Sequence, residues 1–166
     1  MTLGEPSGTR VVEWHDPLAT AEVGRGLAGI DFLQAMIDGE VPPPPIAKLM
    51  NMRMVSVATG TATFQLDPDE SQYNPLGIVH GGVVCTLLDT VLGCAVHTTL
   101  PAGQGYTSLE IKVSYLRAVT QTSGPLTAVG RVTRPGSRAA FAEGTVHDRD
   151  GKLVATASST LLVFPL

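Results

Sequence analysis

The stretch that decides the reading is NPLGIVHGGVVCTLLDTVLG, Asn74 to Gly93. His80-Gly81-Gly82 stands at the mouth of an apolar run that predicts a helix from Gly82 to about Leu100. The first amide N–H groups of such a helix are unpaired and carry partial positive charge. Glycines there let a ligand approach the backbone closely. Two turns further in comes Asp89. A carboxylate in an apolar helix is costly unless hydrogen-bonded or paired, and no lysine or arginine lies between Arg53 and Lys112. The small and polar residues Thr86, Asp89, Thr90, Gly93 and His97 fall near one face. Asp89 is therefore either satisfied by hydroxyls and backbone donors at a subunit contact, or it is a general base or nucleophile in a desolvated site.

Around this helix the chain alternates strand patterns with turn signals. MRMVSVATG and TATFQLD read as a hairpin about Gly60. After the helix come TSLEIKVSYLR, GPLTAVGRVTR, AAFAEGTVHD and KLVATASSTLLVF, joined by short connections that include RPGS and Asp150-Gly151. Four strands so joined are expected to pair antiparallel in sequence order. One long helix with an antiparallel sheet able to wrap it is an α+β layered domain. The helix is apolar nearly all round, so a sheet on one side leaves a face to be covered. Either another subunit covers it, with Gly93 permitting close approach, or an N-terminal helix does.

That N-terminal helix is expected from Leu18 to Ile37, where Val23, Leu27, Ile30, Leu33, Met36 and Ile37 recur at steps of three or four. Its residues Ile30, Phe32, Leu33 and Met36 either cap an apolar pocket or pack as core. VPPPP, Val41 to Pro45, follows as a stiff connector. Residues 1–45 thus read as a loose tail, an extra N-terminal helix and a proline-rich connector, and residues 46–166 as the main domain.

Composition narrows the partners. A chain of 166 residues with 43% apolar and 16% charged residues is globular. Its net charge of −4 supplies no basic footprint for nucleic acid and disfavours adsorption to anionic lipid. The apolar run is too short to span a bilayer, and MTLGEPSGTRVVEWHD has no apolar signal core. Cys85 and Cys94 lie about 13 Å apart along one helix, too far for an intrachain disulfide. Two free thiols point to a reducing, cytoplasmic setting. His15, His97 and His147 lack ligand partners at useful spacing, so neither metal nor cofactor is expected.

Geometry constrains the site further. Gly81 and Asp89 are roughly 12 Å apart along one helix. A reacting carbonyl needs its attacking group and its oxyanion donors within about 3–3.5 Å. One chain cannot supply both to one atom, but two antiparallel helices across a two-fold axis can. If the site is real, the active unit is a dimer.

With these residues in place, N-P-x-G-x-V-H-G-G, the carboxylate eight residues on and the strand T-S-L-E-I-K-V-S-Y-L-R, the chain resembles the PaaI-like branch of hotdog-fold thioesterases. The later R-P-G-S-R-A-A-F-A-E-G-T-V-H-D-R-D-G-K-L-V-A-T-A-S-S-T matches the closing strands of that branch. The resemblance covers about Pro43 to Phe164. It implies a sheet wrapped around a central helix, homodimers sharing two sites, a dimer of dimers, and metal-free hydrolysis of acyl-CoA thioesters. Carried over, the Gly81 N–H polarises the thioester carbonyl, and the partner subunit's Asp89 is nucleophile or general base. Ser108, or Thr107 beside it, is the hydroxyl that positions water. Asn74 sits near the thioester, with His80 orienting Asn74 and the loop. One departure is Ala118 after Arg117, where the branch commonly has proline.

Coenzyme A brings phosphates and adenine. Gly82 and the turn residues Arg134, Ser137 and Arg138 are the candidates to meet the substrate, with Arg117 and Arg131 behind. Two other readings use the same fold: a non-catalytic acyl-CoA binder or sensor, and a dehydratase. A buried acid beside a hydroxyl is more than binding needs, and a dehydratase requires a catalytic histidine where only His80 is available.

Overall fold

The computed structural model describes residues 4, 5 and 7–166. Three short helices precede the sheet: α1 (Pro17–Arg25), α2 (Gly29–Ile37) and α3 (Pro45–Leu49). Asp16 caps α1 by accepting the Leu18 N–H at 2.9 Å, with Pro17 at the first helical position. The single helix expected over Leu18–Ile37 is therefore two, broken at Gly26, which ends α1 and turns the chain. The proline run is not wholly a spacer either. Pro45 opens α3, where its missing N–H costs nothing.

Six strands follow: β1 (Met52–Ala58), β2 (Thr61–Leu66), β3 (Gln104–Tyr115), β4 (Leu126–Arg134), β5 (Ala139–His147) and β6 (Leu153–Pro165). Between β2 and β3 runs the long helix α4, Gly81–His97. The strands form one antiparallel sheet in the order β1-β2-β4-β5-β6-β3. Sequence-order pairing holds for β4-β5-β6 but not for β3, which pairs with β6 at the far edge. The connection from β3 to β4 is no tight turn. It runs from Leu116 to Pro125 and passes the start of α4, where Val119 O accepts the Val79 N–H at 2.8 Å.

This is the hotdog arrangement. Leu87, Leu88, Val91, Leu92, Ala95 and Val96 of α4 are fully buried against inward residues such as Leu66, Leu126, Ala128 and Val146. On β2 the inward set is Ala62, Phe64 and Leu66, every second residue, as a half-buried strand requires. Curling the sheet around the helix brings its two edge strands, β1 and β3, to opposite sides of one stripe of α4.

That stripe is treated differently along its length. Over the C-terminal half it is covered by the chain itself. The Phe32 ring of α2 meets His97 edge-on at 5.9 Å, and Tyr106 of β3 lies 5.4 Å from the same imidazole. Gly93 does offer a close approach, but to Tyr106 of its own chain: a Cβ there would lie 2.5 Å from the ring. Gly29 is seated as tightly, since a Cβ would stand 1.9 Å from His97 O. Over the N-terminal half nothing described covers Gly82, Cys85, Thr86 and Asp89, which remain half-buried or exposed.

No helix among the described residues is long and apolar enough to cross a membrane.

Candidate active site

Each site residue is held by local chemistry. His80 is the N-cap of α4, and its Nδ1 accepts the Gly82 N–H at 2.9 Å. That bond fixes the ring's acceptor nitrogen and takes the Gly82 N–H out of use. Among the described residues no acceptor meets the Gly81 N–H. Of the two glycine donors expected at the helix mouth, Gly81 alone is available to a ligand.

Asn74 builds the loop before the helix. Its Oδ1 accepts the Leu76 N–H at 2.9 Å, while its backbone N–H donates to Ile78 O at 2.8 Å. This is an Asx-type turn. The side chains of His80 and Asn74 make separate bonds, each to backbone, so His80 does not orient Asn74 directly.

Asp89 is half-buried rather than sunk in the core. Its Oδ1 accepts a hydrogen bond of 2.7 Å from Ser108 Oγ of β3. The two hydroxyl candidates therefore separate. Ser108 pairs across β6 with buried Leu161 and faces the helix; Thr107 pairs with Leu162 and points to the outer face.

A β-bulge at Leu109 interrupts the ladder between Ser108 and Glu110. One extra residue reverses the period-two alternation. Tyr106 and Ser108 face the helix before the bulge, and Ile111, Val113 and Tyr115 face it after. Tyr115, to which the sequence reading gave no role, thereby reaches the helix mouth and donates to Gly81 O at 3.0 Å. Its ring lies 3.2 Å from where a Gly81 Cβ would stand, so this glycine is confined between strand and loop.

Cys85 lies on the same stripe. Burial and the nearby Asp89 carboxylate raise its thiol, opposed by a hydrogen bond with Tyr115. Cys94, one half further along, is pushed up to about 12, chiefly by burial. Both shifts favour the protonated thiol.

Arg134, Ser137 and Arg138 sit exposed on the β4–β5 turn. The register Thr107–Leu162–Ala139 brings that turn to the Ser108 end of the sheet, two strands or about 10 Å across. Among the described residues neither arginine has an ion-pair partner. Asp89 with Ser108, and Gly81 with His80 and Tyr115, thus form two polar clusters at opposite ends of one open stripe.

The thioesterase superfamily pattern matches residues 76–155, which include both clusters. A phenylacetic acid degradation-related protein from Ralstonia eutropha JMP134 is 30% identical, with a TM-score of 0.72 over 78% of this chain and 98% of that one. A Streptococcus mutans protein solved with acetyl CoA is 26% identical, with a TM-score of 0.62 over 69% of this chain and 90% of that one. The 1,4-dihydroxy-2-naphthoyl-CoA hydrolase of Listeria monocytogenes is 25% identical over 118 residues, 71% of this chain and 94% of its own. With the wrapped sheet and relatives matched nearly end to end, the chain belongs to the thioesterase superfamily, as a PaaI-like hotdog-fold thioester hydrolase.

Proposed function

We propose that the protein hydrolyses acyl-coenzyme A thioesters at a site shared between two copies. The observation that carries this reading is the separation of the half-sites. An oriented carboxylate and an unspent N–H lie eight residues apart on one helix, and a second antiparallel copy supplies what each end lacks.

Asp89 acts as general base. Ser108 occupies Oδ1 and leaves Oδ2 for a water. That water attacks the thioester carbonyl carbon while Asp89 takes its proton. The oxyanion accepts from the Gly81 N–H at the positive end of the facing α4. The C–S bond then breaks, the thiolate leaves as CoA with a proton, and the free acid remains. Tyr115 and His80 hold the Gly81 backbone in place, and Asn74 shapes the loop beside it. Arg134, Ser137 and Arg138 meet the phosphates of CoA. The acetyl CoA carried by the Streptococcus mutans protein and the CoA-thioester name of the Listeria hydrolase favour this substrate class.

Dimerisation is supported by the surfaces left open. The outer edge of β3 is unpaired, and Leu109, Tyr115 and Leu116 on it are 53–58% exposed beside the uncovered stripe of α4. An unprotected edge flanked by apolar residues is a pairing surface. Two such dimers assemble as a tetramer, and the setting is the cytoplasm, where two free thiols persist.

The test is thiol release from a panel of acyl-CoAs by wild type, Asp89→Asn and Asp89→Ala, with light scattering for the oligomer. Wild type turns over, and both variants stay folded and lose at least about 10²-fold in kcat. Binding without turnover by the wild type would replace the enzyme reading with the acyl-CoA sensor. Activity that survives both substitutions would sink the mechanism.

A further inference from the structure

An apolar cavity of about 740 Å³ lies over the C-terminal half of α4. Its floor is Thr90 and Cys94 of α4, its side walls are Met54 of β1 and Tyr106 of β3, and its roof is Phe32 and Met36 of α2. It is the gap between the two edge strands, closed above by the N-terminal helices. The open stripe with Asp89 runs up to that gap: Thr86 on it lies one turn before Thr90, whose hydroxyl donates to Thr86 O at 2.8 Å, and Tyr106 stands two residues before Ser108 on the same face of β3.

The floor presents no charge to an occupant. Thr90 Oγ donates within the helix to Thr86 O at 2.8 Å. Cys94 is a neutral thiol beside Tyr106, and burial holds the His97 imidazole toward its neutral form. Arg25 and Arg53, also on the lining, are paired with Glu22 and Asp67, and the third cation there, Lys48, is exposed. Met36, Met52 and Met54 give walls that adapt to a flexible occupant. From Thr90 to His97 the floor runs about 10 Å, a trough rather than a slot. Its volume lies within the roughly 300–1,000 Å³ typical of small-molecule sites. An acetyl group would leave it empty.

We infer that this cavity is the acyl chamber, that α1 and α2 are its roof, and that the protein selects straight apolar acyl chains of medium length, with Met36 and Met54 setting the limit. The inference rests on the thioesterase reading for the placement of the carbonyl at Asp89. It puts the chain in the protomer that supplies that carboxylate, with the CoA moiety leading away along the open half.

The experiment has two arms, both on the full chain. In the first, kcat/KM is measured for acetyl-, octanoyl- and phenylacetyl-CoA with wild type and Met36→Trp. Octanoyl-CoA should exceed acetyl-CoA by at least about tenfold in the wild type. Met36→Trp should cut octanoyl-CoA about tenfold and leave acetyl-CoA within about twofold. In the second, calorimetry compares free CoA with the non-hydrolysable S-octyl thioether of CoA. The octyl group should tighten wild-type binding at least about tenfold, and Met36→Trp should remove that gain. Met54→Phe, from the opposite wall, should reproduce both selective losses and stands in if Met36→Trp misfolds. Equal losses on acetyl and octanoyl, no loss on either, or a preference for phenylacetyl over octanoyl would overturn the assignment. A wild type that cleaves no thioester defeats the hydrolase reading alone, and the octyl increment still decides the chamber.

Discussion

The two halves of α4 carry the same kind of apolar sequence and meet opposite fates. From Thr90 to His97 the stripe facing away from the sheet is roofed by α2 and flanked by Tyr106 and Phe32, which line the cavity over it. From Gly81 to Asp89 the same stripe is left partly to solvent, and there the chain keeps its carboxylate, the Ser108 hydroxyl bonded to it and an unspent N–H. A polar group on a covered stripe must be satisfied internally, as Thr90 is. Asp89 has one oxygen committed and one to offer. Burial in this protein follows what the backbone topology brings over the helix, and polar groups with bonds to spare gather where it brings least.

If the halves are as distinct as this, substitutions in the open half should damage rate without stability, and those that break the packing of the roofed half should damage stability with the chemical step retained. The largest effect should be Asp89→Asn, with its loss of at least about 10² in kcat at an unchanged Tm. A large drop in Tm would mean that the carboxylate is structural. Next comes Gly29→Ala in the roofed half. Its new Cβ would collide with His97 O, so we expect about 2 kcal/mol of destabilisation, read as several degrees of Tm, with activity retained in the folded fraction. Ser108→Ala removes one charge-assisted bond to Asp89 and should cost about tenfold in kcat, roughly 1.4 kcal/mol, again with little change in Tm.

The smallest effect is a pH dependence of stability. Burial holds His97 below its usual 6.5, so at pH just below that value the unfolded chain binds more protons than the folded one. Stability should be full above about 6.5 and fall as pH is lowered through and beneath it. Thermal melts from pH 7.5 to 5.5 should show this slope in wild type and a shallower one in His97→Gln. An unchanged slope in the variant would mean that the roof leaves His97 wet.

Much of this was legible in the sequence because its causes are local. The apolar run, the His-Gly-Gly mouth and the lone acid fix α4 and mark Asp89, and alternation with turn residues fixes most strands. Three things were not legible. The pairing of β3 with β6 joins segments some fifty residues apart, as Ser108 with Leu161, and no local pattern encodes it. The bulge at Leu109 reverses the parity of β3, so simple alternation puts Ser108 and Tyr115 on opposite faces when both face the helix. The open position of Asp89 depends on where the roof stops, which is a property of the packed helices. The N-terminal periodicity was read correctly as amphipathic, yet Gly26 divides it into two helices that enclose space as well as fill it.

The roof has a consequence for descent. The residues proposed to break the thioester lie between Asn74 and Tyr115, inside or beside the stretch that the superfamily shares. Most of those proposed to choose its acyl chain lie earlier, on α1, α2 and β1, outside that stretch. Selection can therefore act on appetite and on chemistry separately. A lineage can lengthen, tighten or discard the N-terminal helices and inherit the hydrolytic apparatus intact, so substrate preference should diverge among close homologues faster than mechanism does.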